Sequence, residues 1–352
     1  MFKQNKIQKE SFLKILSNLY QWNKTNAAAQ LEKYKNKNNN TTNNNNKEIQ
    51  KSFFASTKNQ NHNLSVMTDI VNARYSCKQF SSEKKIENEL ISKLLNHTRR
   101  APTGFNLQGW HVVVIDNETL KQQLCRACLG QRQILNASHS FIFLGDKECE
   151  RNAPAALEMG LKKVKINNEK NENNNHNVSS YYGDLYGPSY LRQVYYYLHQ
   201  GPFQTMQCAK NLTSYLYNFS ISKNNNTNIY QNHQNHHRLP NHYTPLLTVP
   251  TSATAYAQKQ TIFAVSTFLY LCTAAGLQTC VMEGFDEHAV KIVAGLHQNN
   301  NNNNNNENNN NSFHMDRYTV PCVVSVGYAD DNNNNSLVRS PRFSSSHFVH
   351  WN

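Results

Sequence analysis

KQTIFAVSTFLYLCTAAGLQTCVMEGFD, residues 259–286, decides how the chain is read. Thr261 to Met282 carries no charge. About 20 apolar residues suffice to cross a bilayer, so a membrane span must be weighed first. Thr, Ser and Gln interrupt the run, however, and Gly276 has the character of a helix stop. The reading is a buried core helix over 257–275, then a short strand ending at Met282. Asp286 is suited to cap a following helix, because its oxygen accepts from orphan N–H groups of the first turn. Glu287 then sits where the helix dipole favours an acid. Ala289, Val290, Ile292, Val293 and Leu296 supply the apolar face. The turn Glu283–Asp286 is either a plain strand–helix junction or a junction that also holds a ligand.

Working outward, IENELISKLLNHT places Ile86, Leu90, Ile91, Leu94 and Leu95 at helical spacing, with a Ser cap expected before it. WHVVVI (110–115), SFIFLG (140–145) and TVPCVVSVGY (319–328) read as strands. ETLKQQLCRACLG and APAALEMGLKKV read as helices. The Tyr-rich stretch within 179–250 reads as helices broken near Gly201-Pro202. Helices and strands alternate irregularly, which gives an α+β fold.

Asparagine tracts at 36–46, 167–177, 223–237, 298–312 and 330–336 lack the apolar residues that offset ordering entropy, and read as insertions or linkers. Residues 1–65 read as a disordered, low-complexity extension and 66–352 as one folded domain. The extension holds eleven Lys against three Glu, so eight of the thirteen net positive charges lie there. The body is only mildly basic, which argues against nucleic acid as its partner. The eight cysteines are scattered. Cys272, Cys280 and Cys322 lie in apolar runs, and Cys125 and Cys128 share an amphipathic helix pattern without a second pair to complete a metal site. A reducing compartment fits. No secretory signal is visible, so a cytoplasmic location is expected. A mitochondrial one stays open because the N-terminus is basic and loosely amphipathic. There is no G-x-G-x-x-G, P-loop, H-E-x-x-H or G-x-S-x-G signature, so an anionic cofactor would have to be held by side chains.

In RYSCK, Arg74, Ser76 and Lys78 alternate. In extended backbone they share a face, and two cations with a hydroxyl suit a phosphate. A solvated basic turn is the plain alternative. Together with APTGFNLQGWHVVVI, the K-Q helix, EGFD, VPCVVSVGYAD and the tail RSPRFSSSHFVHW, this order of motifs resembles the nitroreductase family of FMN-dependent NAD(P)H oxidoreductases.

The resemblance spans roughly residues 66–350. It implies a nitroreductase-like mixed sheet flanked by helices, a homodimer with FMN at the interface, and NAD(P)H as electron donor. It places Arg74, Tyr75, Ser76, Arg342 and Arg339 around the FMN phosphate, and Lys78 near the flavin's N1–C2=O edge. Pro102, Thr103, Gly104 and Asn106 would come from the partner subunit. Gln260 would touch the ribityl–phosphate side. Met282, Glu283 and Gly284 would lie by flavin N5 and O4. Lys78 and Glu283 stand nearest the reacting ring, and no acid–base residue is nominated. The implied reaction passes two electrons in ping-pong order to an electron-poor small molecule, a nitroaromatic or quinone. The sequence departs from the family pattern at Gly109 (Pro before Trp), at Val281 (Pro before the E-G-F-D turn) and near Gly130 or Gln131, where an Asn often contacts the flavin. A nitroreductase-like scaffold without flavin and an Asn-rich RNA-binding or interaction protein are the competing readings.

Overall fold

The structure is a computed structural model and describes residues 57–170, 187, 190–200, 205–206, 208–213, 216, 251–296, 314–330 and 340–351. The chain divides into two units between Thr68 and Asp69. Helix α1 (Thr57–Ala73) runs across that boundary. The other named elements belong to the second unit: α2 (Asn88–Thr98), β1 (Trp110–Ile115), α3 (Glu118–Ala127), α4 (Gln133–Asn136), β2 (His139–Asp146), α5 (Ala153–Lys170), α6 (Tyr190–Leu198), α7 (Ala253–Ala274), β3 (Gln278–Met282), α8 (Glu287–Val293) and β4 (Tyr318–Gly327).

The strands lie in the order β1-β2-β4-β3, and every pairing is antiparallel. A mixed sheet was the expectation. The parallel component among the described residues is a single bridge, Ser76 to Thr279, at the outer edge of β3. Strand β2 is buried along its whole length. Its alternate side chains enter two cores, as the period of two requires. Phe141 and Phe143 pack with Ile91 and Leu94 of α2 and Val265, Phe268 and Cys272 of α7. Ile142 and Leu144 pack with Leu124, Cys125, Ile134 and Val290. Helices therefore cover both faces of the sheet, and a strand covered on both faces reads as a continuous apolar run. Seven of the eight thiols are buried, and only Cys208 is exposed. Burial pushes the Cys128, Cys149 and Cys322 thiols up to about 12.

Helix α7 is the core helix anticipated from the charge-free run that begins at Thr261, and it buries Ala257, Thr261, Ala264, Val265, Phe268 and Cys272. It begins at Ala253, a turn earlier than the apolar pattern indicates, because the Ser252 hydroxyl accepts from Ala255 N at 3.2 Å. It ends before Gly276, whose φ of +75° favours glycine. No described helix is long and apolar enough to cross a membrane. The expected Ser cap on α2 is not used. That helix starts at Asn88 behind Glu87 with no side-chain cap, while Ser81 Oγ accepts from Lys84 N at 3.4 Å ahead of it. Helix α5 runs to Lys170, four residues into the stretch read as an insertion. The 36–46, 223–237 and 298–312 tracts lie outside the described residues.

Two local details set the sheet's geometry. Pro321 cannot donate to a ladder, and the β2–β4 register slips there, Phe143 facing Cys322 while Gly145 faces Thr319. The extra residue is a bulge, where a proline can sit inside a sheet. Gly145 lets α7 approach β2. A Cβ at that position would lie 2.9 Å from Thr261 Oγ1 and 3.0 Å from the Ala257 carbonyl. Gly145→Ala should therefore lower stability by about 1–3 kcal/mol, the usual cost of overpacking, read from urea midpoints at unchanged m-value. An unchanged midpoint would show that the helix can move away at no cost.

Candidate functional site

The segment after α1 runs extended along the edge of β3. Cys77 N donates to Thr279 O at 2.9 Å, and Cys77 and Phe80 insert into the core. Ser76 and Lys78 therefore remain exposed and Arg74 half-buried, the alternation expected for this stretch. Burial, with Cys77 alongside, pushes the half-buried Tyr75 phenol up to about 12. Next to this segment β3 ends at the buried Met282, and Glu283 and Gly284 emerge into solvent. A Cβ on Gly284 would meet nothing within 4 Å, so open space faces the backbone there. Asp286 is the cap anticipated: its Oδ1 accepts from Ala289 N at 3.1 Å. Its own N–H donates to Ala127 O at 2.9 Å, which fixes the turn to α3.

Four side chains join these two pieces. Lys78 Nζ donates to Cys280 Sγ at 3.4 Å, and Gln133 Nε2 reaches the same sulfur at 3.8 Å. Gln133 Nε2 also donates to Gln131 Oε1 at 2.9 Å, and Gln131 Nε2 donates to Gly284 O at 2.9 Å. The sequence singles out Gln131 only as standing near a missing family asparagine. Gln133 carries no signal at all, because a glutamine's reach is invisible to periodicity.

A second group forms around residues 102–109. Phe105, Asn106 and Gln108 have φ of 54°, 55° and 50°. Such left-handed values are uncommon outside glycine and persist only where the surroundings impose them. Here Gln260 Oε1 accepts from Gly104 N at 2.6 Å, Thr103 Oγ1 accepts from Gln108 N at 3.1 Å, and Asn152 Nδ2 donates to Leu107 O at 3.0 Å. The Tyr190 hydroxyl donates to Phe105 O at 2.7 Å, so the Tyr-rich helix α6 grips this loop. Pro102 and Asn106 are exposed. Gly109 is buried, and a Cβ there would run into the side chain of Cys149. That cysteine fills the volume a proline would need.

Gln260 thus belongs with the 102–106 loop. That loop feeds β1, at one edge of the sheet, whereas Arg74, Ser76, Lys78, Glu283 and Gly284 attach to β3 at the other. Three inter-strand steps separate the edges, roughly 14 Å. Arg342 is exposed and donates to the Ser340 and Pro341 carbonyls of its own tail, at 3.1 and 3.0 Å. Arg339 lies outside the described residues. Among the described residues no group of His, Cys, Asp and Glu could hold a metal ion.

Residues 71–195 match the nitroreductase family. "Putative NAD(P)H nitroreductase YodC" of Bacillus subtilis is 32% identical over 84 residues, 24% of this chain and 42% of that protein. "Putative NAD(P)H nitroreductase MhqN" of the same organism is 32% identical over 103 residues, 29% of this chain and 50% of that protein. The chain thus spans half or less of the length of these relatives. Among solved structures, a "putative nitroreductase in complex with FMN" from Exiguobacterium sibiricum is 16% identical, covering 81% of this chain and 97% of its own, with a TM-score of 0.49.

Proposed function

We propose that this chain, with its nitroreductase-family segment over 71–195, is an FMN-dependent oxidoreductase passing two electrons from NAD(P)H to an electron-poor small molecule. The observation that carries the reading is the edge of β3. There a guanidinium, a hydroxyl and an ammonium, from Arg74, Ser76 and Lys78, stand beside a turn whose backbone faces open space.

This donor set fits FMN. A guanidinium fork and a hydroxyl suit its phosphate. The open face at Gly284 leaves room for a flat ring against the backbone of Glu283 and Gly284. When bound, FMN supplies the two-electron chemistry that side chains cannot. Arg74 and Ser76 would bind the phosphate. Lys78 would stabilise negative charge on the ring, and the N–H groups of residues 283–284 would donate to its reacting edge, an electrostatic contribution set in place before reaction. No side chain is assigned to move a proton. Donor and acceptor would use the same face in ping-pong order, the acceptor being a nitroaromatic, a quinone or a similar molecule.

The site would be completed by a second copy. Ile262 and Phe263 of α7 are 39% and 48% exposed, and Phe343, Phe348 and Trp351 of the tail are exposed as well. Apolar surface of this kind marks an interface. A homodimer would bring the 102–106 loop and Gln260 of one copy to the 74–78 edge of the other, which one chain holds apart. Arg342 would have to leave the Ser340 and Pro341 carbonyls to reach a phosphate.

The test is an absorbance spectrum of the full chain from 300 to 550 nm, before and after NADPH under argon. Flavin bands bleached by NADPH are the expected result. A colourless protein that takes up no added FMN would sink the reading and leave a binding scaffold of the same fold.

A further inference from the structure

We infer that Gln131 and Gln133 are positioning residues. With Cys280 they form a side-chain relay that ties Lys78 to the Gly284 carbonyl and fixes the two halves of the flavin-facing edge relative to each other. This inference rests on the FMN reading above and concerns how that site is held rather than what it binds.

The relay is continuous. Lys78 Nζ rests on Cys280 Sγ, Gln133 Nε2 reaches Cys280 Sγ and Gln131 Oε1, and Gln131 Nε2 ends on Gly284 O. Its middle is desolvated: Cys280 is 0% exposed and Gln133 8%. Buried polar networks rigidify when each member is satisfied, and losing one member leaves its partner's group unpaired at a cost. Its two ends differ. Lys78 and Gly284 are both exposed, so the relay joins two solvent-facing groups through a buried middle. Backbone hydrogen bonding alone does not orient the Glu283–Gly284 turn, because β3 stops at Met282. Asp286 N fixes the far side of the turn to Ala127, and Gln131 fixes the near side. Gln131 directs its amide to the chain's own backbone. The second amide, Gln133, carries the restraint through Cys280 to the ammonium. The short helix α4 thus contributes to the site through Gln133, a buried side chain.

A relay that aims donors at one redox form of a ring must alter the two forms' affinities unequally. Gln131→Leu keeps the bulk and removes the donor to Gly284. Gln133→Met removes the donor to both Cys280 Sγ and Gln131 Oε1 and leaves the bond from Gln131 to Gly284 O in place. The experiment uses the full chain loaded with FMN. It measures the FMN dissociation constant by quenching of flavin fluorescence, the midpoint potential by dye equilibration, and thermal unfolding without flavin.

In Gln131→Leu, FMN should bind about tenfold more weakly. The ratio of affinities for oxidised and reduced flavin should change by a similar factor, which is a shift of about 30 mV for a two-electron couple. Gln133→Met should shift the potential in the same direction by a smaller factor. A fall in unfolding temperature with the affinity ratio unchanged in both variants would make the two glutamines ordinary core residues and overturn the inference. If Gln131→Leu does not fold, Gln133→Met decides alone by the same criterion. Failure of the parent chain to bind FMN is a separate result, which strikes the functional reading itself.

Discussion

Arg317→Met should lower the unfolding midpoint by roughly 6–20 °C, the largest stability effect expected from a single change in this chain. Asp146 closes β2 and its side chain is fully buried. Arg317, on the turn before β4, meets it with two parallel bonds, Nε to Oδ1 at 2.9 Å and Nη2 to Oδ2 at 2.6 Å. Oδ1 also accepts from Glu148 N at 2.9 Å. The hydrogen bonds that Arg317 donates to Asp146 hold the guanidinium pKa above its ordinary value. Removing the arginine strands a carboxylate away from water, and breaking a buried pair on one side costs about 3–5 kcal/mol. The control is the double change Asp146→Leu with Arg317→Met. Replacing both charges with apolar groups should recover much of the loss, since a buried pair contributes little beyond its own desolvation. Differential scanning calorimetry of the three proteins checks this. A single variant melting within a degree of the parent would mean that solvent reaches the carboxylate.

The second large effect concerns the cofactor. Arg74→Ala should weaken FMN binding by about 10- to 100-fold, the range for losing a charge-assisted hydrogen bond of about 1.5–3 kcal/mol. Unfolding of the flavin-free protein should change little, because Arg74 is only half-buried and a backbone bond, Arg74 N to Ile70 O at 3.2 Å, anchors the residue. Arg74→Lys should restore part of the affinity. It keeps the charge and loses the planar fork that grips a phosphate. Fluorescence titration distinguishes the three proteins. Equal affinities would remove Arg74 from the site and leave Ser76 and Lys78 as the anchors.

Much of this architecture could be read from residues alone, because local physics set it. WHVVVI is a strand, and the charge-free run from Thr261 onward in α7 buries one face, Thr261, Ala264, Val265, Phe268 and Cys272, against the sheet. Asp286 caps α8 as its side chain dictates. The β1-β2-β4-β3 order was not legible, since antiparallel pairing joins segments whose sequences say nothing of each other. The Ser cap expected for α2 failed because Glu87 begins the helix without any side-chain bond. Within the site, the alternation of Arg74, Ser76 and Lys78 and the emergence of Glu283–Gly284 followed from period and turn chemistry. The attachment of Gln260 to Gly104, the grip of Tyr190 on Phe105 and the reach of Gln131 to Gly284 depend on side-chain paths across the fold. No spacing encodes them. The departure at Gly109 became intelligible only once Cys149 was seen to occupy the space.

The pairing of β2 with β4 has a further consequence. Asp146 and Arg317 meet although 171 positions separate them, and most of the asparagine-rich sequence lies between. The entropy of closing so long a loop grows only with the logarithm of its length, about 0.6 kcal/mol for each doubling. Tens of residues added to or lost from those tracts would therefore scarcely alter the equilibrium between folded and unfolded chain. The same separation governs speed, because the central strand pair must wait for a distant encounter before its contacts repay the closure. Tract length is thus nearly neutral for the finished sheet, and the burden of carrying it falls on the time the chain spends with β2 unpaired.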